Sequence, residues 1–409
     1  MSAPSDAVTA NDLKKGQLRN LLLATFASTI GFWGWTMIGP LSGHYTSIME
    51  LSTAQASLLV AMPVIVGSVA RIPAGALTDR YGGRVMFTWV LGLTAPLIVL
   101  VGLAGAAGSY PLLLVVSFFL GIAGTIFSVG IPFSSDWYES HRKGFATGVF
   151  GAGMGGTAVS AFVTPRLAAW LGYLPTHFVV AGVVLVTALI VWLFLRDSPV
   201  WLQREATPMM PKLKRAFTLG VTYQMCFLYA IIFGAFVAFS NYLPTYLGNV
   251  YAFDATEAGT RTAGFALAAV IARPIGGTLA DRIGPRLVTW ASFIGVTVFA
   301  AILAFQPADE RQFGPLWVLM ALFVGLGTGG VFGWVSRAAP AAAAGTISGV
   351  IAAAGGLGGY FPQLYMGAVY DPDNASYFVG LMTLAVFTVL GLALTFFVRN
   401  GGAPGREGR

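Results

Sequence analysis

Twelve apolar stretches, each about as long as a helix must be to cross a bilayer, leave this chain few ways to fold. Six fall at roughly 20–43, 55–77, 85–106, 111–134, 144–168 and 175–196. After a polar break at 197–215, six more fall at roughly 217–247, 257–280, 287–306, 314–336, 343–368 and 376–398. Hydrocarbon offers no hydrogen bonds, so the backbone of such stretches must satisfy itself, which a helix does. The charged fraction agrees: it is 10% over 409 residues, where a soluble domain has about 25%.

The expected fold is therefore an all-α membrane protein with twelve transmembrane helices in two six-helix halves. Its parts are a cytoplasmic N-terminal segment 1–19, bundles 20–196 and 216–398, a cytoplasmic linker 197–215 and a tail 399–409. Of 23 Lys and Arg, 18 fall on one side, three (Arg166, Arg261, Arg311) on the other, and two inside. By the positive-inside rule both termini are expected in the cytoplasm, with the chain in the inner membrane. The net charge of +7 is thus topogenic, with lipid as the expected surrounding and no nucleic acid. A polar stretch with Lys14, Lys15 and Arg19 precedes a full-length span, so the N-terminus is expected to be retained. Cys226 is the sole cysteine, which rules out a disulfide and a thiolate cluster. No metal, no cofactor and no catalytic residue is expected: there is no Walker loop and no nucleophile with a base.

The two halves repeat one motif. Arg71-Ile-Pro-Ala-Gly-Ala-Leu-Thr-Asp79-Arg80-Tyr-Gly82-Gly-Arg84 returns 202 residues later as Arg273-Pro-Ile-Gly-Gly-Thr-Leu-Ala-Asp281-Arg282-Ile-Gly284-Pro-Arg286. At ~1.5 Å per residue each leading arginine lies roughly 12 Å deeper than its aspartate, near the middle of a ~30 Å layer. A charge at that depth faces a partner, a cavity or a ligand path. No Asp or Glu lies mid-span to be the partner. Two such arginines in equivalent places point to a central site for an anion. Gly39-Pro40 and Tyr242-Leu-Pro244 interrupt the first and seventh spans at equivalent places, as expected of parallel repeats around a site.

Other stretches carry a family resemblance over the whole chain. With the Asp-Arg-x-Gly-x-Arg loops, the twelve spans resemble the major facilitator superfamily. The embedded arginines, Tyr229-Ala-Ile-Ile-Phe233-Gly-Ala-Phe236, Gly148-Val-Phe-Gly151-Ala-Gly153-Met154-Gly155-Gly156 and Gly355-Gly-Leu-Gly358-Gly359-Tyr-Phe361-Pro362 resemble its nitrate/nitrite porter family, actinobacterial members above all.

That resemblance implies a monomeric secondary transporter of nitrate and nitrite working by alternating access. Arg71 and Arg273 would hold the anion, because guanidinium offers a flat fork of donors that lysine lacks. Tyr229 would donate a hydrogen bond, and Phe233, Phe127 and Phe332 would supply rings, whose edges carry partial positive charge. Gly153 and Gly358 would let backbone approach the ligand or a neighbouring helix. Met154 stands where many members have Asn, which touches substrate preference. Trp33 and Trp35 lie near where the family places an aromatic. Asp79, Arg80, Asp281 and Arg282 would latch helix ends in one conformation, a gating role. Asp136, Glu139 and His141 read as a solvated cluster, and His44 and His177 as residues of outer loops.

Two uncompensated charges make an empty carrier costly to reorient, so nitrate/nitrite exchange is the expected mode. Proton-coupled nitrate uptake is the alternative, then a carrier or channel for another small anion such as cyanate or formate.

Overall fold

The computed structural model describes residues 16–139, 142–202, 209–338 and 344–398. The expected basic stretch with Lys14 and Lys15, His141, the middle of the linker and the tail lie outside the described residues. Within them the chain is helical, apart from an isolated bridge between Asp371 and Ser376.

The first half holds Gln17–Met49, the bent pair Thr53–Val69 and Arg71–Tyr81, Gly83–Ala106, Tyr110–Asp136, Phe145–Leu171 and Tyr173–Phe194. The second holds Gly220–Tyr251, Ala255–Ile283, Pro285–Ala304, Glu310–Ala338, Ala344–Ala368 and Phe378–Thr395. Two short helices, Pro199–Leu202 and Met209–Phe217, lie in the connector. These are the twelve spans in two halves, numbered here from first to twelfth. Their outer faces present Trp89, Leu185, Leu189, Phe387 and Leu390 to the surroundings. Such exposure suits lipid. Buried hydroxyls fold back onto their own helix: Thr36 donates to Phe32 O, Thr94 to Val90 O and Thr187 to Val183 O. Each is satisfied without water.

Prolines shape the spans unequally. Pro73 lacks an N–H and its ring crowds the carbonyl four residues back, that of Val69. The second span breaks there by 42°, so Arg71 opens a new helix. Pro274, in the repeat, stays inside the unbroken helix Ala255–Ile283. The expected pair of interruptions is likewise one-sided. Gly39–Leu41 forms a turn of 3-10 helix, whereas Pro244 is carried within Gly220–Tyr251. Gly39 permits the first span to cross the seventh, since a Cβ there would overlap Asn241 O. Two further 3-10 segments, Gly121–Thr125 and Ala152–Gly155, interrupt the fourth and fifth spans at mid-depth.

The two ends of the molecule are built differently. At one end the halves meet directly: Ser42 Oγ lies 2.8 Å from Thr245 Oγ1, Ser57 Oγ donates to Tyr242 OH at 2.9 Å, and Arg166 Nη2 donates to Thr260 Oγ1 at 2.8 Å. At the motif end each half closes on itself. Arg84 Nε donates to Trp192 O at 2.8 Å, and Arg286 Nη2 donates to Thr395 O at 2.9 Å and Phe396 O at 3.1 Å. In both halves the last arginine of the motif thus caps the final helix, where carbonyls lack partners and the dipole is negative.

Gly82 and Gly284 turn the chain at that end with φ of 85° and 98°. A side chain is strained at either position, but only Gly82 is also crowded, with Asp197 Oδ2 2.7 Å from the place of a Cβ. We expect Gly82→Ala to cost about 1–3 kcal/mol from strain alone, and more from the clash. Gly284→Ala should cost only the strain. Thermal unfolding in detergent checks the order; equal losses would show that Asp197 moves aside freely.

Candidate anion-binding site

Both leading arginines reach mid-molecule and share the same walls. The Arg71 guanidinium carbon lies 5.5 Å from the Phe127 ring centroid and 5.7 Å from that of Phe233. For Arg273 the same rings are at 5.3 and 5.8 Å, and Phe332 is at 5.7 Å. Phe127 and Phe233 stack across the halves with centroids 6.4 Å apart. Tyr229 stacks on Phe233 at 4.9 Å and meets Phe332 edge-on. Ring faces toward cations supply part of the stabilisation that water would otherwise give.

The two arginines are held differently. Arg71 is 1% exposed. Its Nη1 donates across the halves to Ala352 O at 2.8 Å, and its Nε donates to Gly124 O at 3.4 Å. Gly124 belongs to the 3-10 segment of the fourth span. Arg71 Nη2 is buried with no hydrogen-bond partner. As the first residue of its helix, Arg71 also sits at the positive end of a dipole, which favours an anion there. Arg273 is half-buried. Its Nη2 donates to Tyr229 OH at 3.2 Å, and its Nη1 to Met154 Sδ at 2.8 Å. Met154 lies on the other 3-10 segment.

Every Asp and Glu among the described residues sits in a loop or near a helix end. The cationic pair is thus balanced by carbonyl, hydroxyl and thioether dipoles and by ring faces.

Arg71, Arg273, Tyr229, Phe233, Phe127, Phe332 and Met154 come together in this one place. Gly153 and Gly358 do not reach it. Gly153 packs on the first span, where a Cβ would lie 2.6 Å from Ser28 Cβ, and Gly358 abuts Ala230 O. Their neighbours Gly355 and Gly356 face the site instead, against the Tyr229 ring and against Arg71 Nη1. Trp35 is an addition that sequence reasoning left unassigned. Its ring lies 5.7 Å from the Arg71 guanidinium, in space left by Gly67 and Gly124, and its Nε1 donates to Pro63 O. Trp33 turns away and donates to Thr164 Oγ1. Two residues apart on a helix, they cannot share a face, but only the packing says which one turns inward. The carbonyls of Ala352 and Gly124 have no side-chain signature.

The loop motif lies at its own end. Trp201 Nε1 donates to Asp79 O at 3.1 Å, and the Arg80 guanidinium lies 5.2 Å from the Tyr81 ring. Asp281 and Arg282 are exposed. His177, expected in an outer loop, is instead fully buried in the sixth span. Its Nδ1 bonds Tyr173 O and its Nε2 lies 3.5 Å from Tyr45 OH. It stands one turn inside the helix Tyr173–Phe194, which carries it into the bundle.

The family profile of the Major Facilitator Superfamily matches residues 24–361. The chain is 52% identical to the probable nitrate/nitrite transporter NarK2 of Mycobacterium tuberculosis, over 93% of this chain and 96% of that protein. It is 34% identical to the nitrite extrusion protein of Bacillus subtilis, over 92% and 93%. It is 33% identical to the probable nitrate/nitrite antiporter NarK1 of Thermus thermophilus, over 93% and 91%. The crystal structure of a bacterial homolog to the human lysosomal transporter Spinster superposes with a TM-score of 0.69, covering 92% of this chain and 95% of that one at 20% identity. That last likeness shows the fold. Twelve spans in two halves around a shared pair of embedded arginines, with these relatives, place the chain in the Major Facilitator Superfamily, in the family of the nitrate/nitrite transporters.

Proposed function

We propose that this protein exchanges nitrate for nitrite across the cytoplasmic membrane, as a single copy, by alternating access around the paired arginines. The observation that carries the reading is a buried arginine with an unpartnered Nη2, set against the same two rings as a second arginine, with every Asp and Glu among the described residues in a loop or near a helix end. A planar monoanion matches that gap in charge and shape: guanidinium donors address its oxygens in plane, and ring edges flank its rim. Tyr229 OH already accepts from Arg273, so its own hydrogen is left to donate to the anion. The names of the relatives support nitrate and nitrite as the cargo. Both termini and the motif loops are cytoplasmic in this reading, so the end where Ser42 meets Thr245 faces outward.

Uptake of labelled nitrate into proteoliposomes loaded with nitrite tests the proposal. Strong entry that cyanate and formate fail to compete supports it; equal competition by those anions would overturn the assignment of cargo.

Met154 tunes preference in this reading. Its thioether offers Arg273 a weak acceptor and gives the anion nothing. Met154→Asn is expected to shift the nitrate-to-nitrite ratio several-fold, because an amide donor distinguishes three acceptor oxygens from two. The ratio of competition constants in the same vesicles decides. An unchanged ratio would mean that residue 154 acts only on Arg273.

A further inference from the structure

The second and eleventh spans, one from each half, meet along a seam of serines set into glycines. A Cβ on Gly367 would overlap Ser57 Oγ, and one on Gly356 would overlap Ser68 Oγ. The serines are eleven residues apart and so are the glycines. Eleven residues is about three helical turns, so both contacts lie on one face of each helix. The outer serine is satisfied, by Thr53 O on its own helix and by Tyr242 OH. The inner one is not: Ser68 is 0% exposed and its Oγ has no hydrogen-bond partner. Ser68 lies one turn before Arg71, on the side toward the closed end, and the place of a Cβ on Gly356 is also 3.2 Å from Arg71 Nη1. Ser68 Oγ and the Arg71 guanidinium thus both border Gly356 at the inner end of the seam, and each keeps a donor without an acceptor, the serine at Oγ and the arginine at Nη2.

Leaving a buried hydroxyl unpartnered is costly. Here the cost belongs to one state only, because the seam must part for the site to open at the other end. We propose that Ser68 is a substrate-binding residue: its hydroxyl donates to the anion beside Arg71 when the second and eleventh spans separate. Arriving from that end, the anion meets Ser68 first and exchanges its hydration for this donor before it reaches the two guanidiniums. This inference rests on the reading of the site as one for nitrate and nitrite.

The test compares Ser68→Ala with Ser134→Ala, another fully buried and unpartnered hydroxyl, near the motif end of the fourth span. Binding of labelled nitrate and thermal unfolding are measured on the purified full chain. For Ser68→Ala we expect nitrate Kd to weaken about tenfold, one hydrogen bond to a charged group. The melting temperature of the substrate-free protein should hold or rise, since an unsatisfied hydroxyl is removed. Ser134→Ala should leave Kd unchanged. An unaltered Kd for Ser68→Ala overturns the proposal, and so does a loss of affinity matched by a loss of substrate-free stability, which marks a structural role. If the wild-type chain binds neither nitrate nor nitrite, the functional reading falls first and this inference with it.

Discussion

Arg71→Lys and Arg273→Lys are each expected to abolish most nitrate transport, with affinity falling about ten- to a hundredfold. A hydrogen bond to a charged group is worth about 1.5–3 kcal/mol, and each 1.4 kcal/mol is tenfold in affinity. Lysine keeps the charge but concentrates it in a point, without a planar fork and without a flat face for the rings. The structure makes the two variants unequal. Arg71 spans two carbonyls on different helices while Nη2 stays free for a ligand, and an ammonium cannot reach all three directions. Arg71→Lys should therefore also lower the melting temperature of the substrate-free protein, because it strands polar groups in a fully buried place. Arg273 is half-buried and holds only side-chain partners, so its Lys variant should fold with near-normal stability and fail in binding alone. Size-exclusion profiles, melting curves and nitrate binding, read together, check this. Near-normal transport by either variant would refute the guanidinium account at that position.

Internal nitrite is expected to accelerate nitrate entry into proteoliposomes at least tenfold, and a proton ionophore to change little. A ligand shifts a conformational equilibrium only through unequal interaction with its states. The occluded state excludes water from two like charges that share the same rings. An anion between them helps most there: at an effective dielectric of ~20, opposite charges ~4 Å apart attract by about 4 kcal/mol. A proton has no comparable landing place, since carboxylates among the described residues stay near helix ends and arginine is already charged. The dipoles of Ala352 O, Gly124 O and Tyr229 OH temper the repulsion in the empty carrier without cancelling it. Slow entry into empty vesicles should thus persist. Uptake driven fully by an inward proton gradient, with no effect of internal nitrite, would make the protein a symporter instead.

Much of the candidate site was legible because its chemistry is rare where it stands. An arginine in an apolar stretch is conspicuous at positions 71 and 273, and the repeat says that the two are equivalent. Tyr229 and Phe233 share a helix face by spacing alone. The glycine-rich stretches were legible only as places of close approach. Gly355 and Gly356 turn to the site while Gly358 turns to Ala230, and a difference of two or three residues in register separates these outcomes. Trp35 and Trp33 pose the same problem, as does His177, whose polarity suggested a loop although its ring nitrogens find partners inside the bundle.

What the sequence by itself determined is whatever the bilayer dictates locally. Helices are forced by the absence of hydrogen-bonding solvent, their number by hydrophobic length, the halves by the repeat at 202 residues, and the anionic character of the cargo by buried positive charge. What only the tertiary structure decided is relative. The second span breaks after Val69 while the helix through Pro274 runs unbroken, although both stretches carry a proline beside the embedded arginine. The grip of Arg71 on Ala352 joins residues 281 positions apart. The free Nη2 and the stranded Ser68 hydroxyl exist only because the two halves meet in one particular closure. Local sequence cannot encode such facts, since each is a property of two surfaces brought together, and in a transporter that meeting changes with the state.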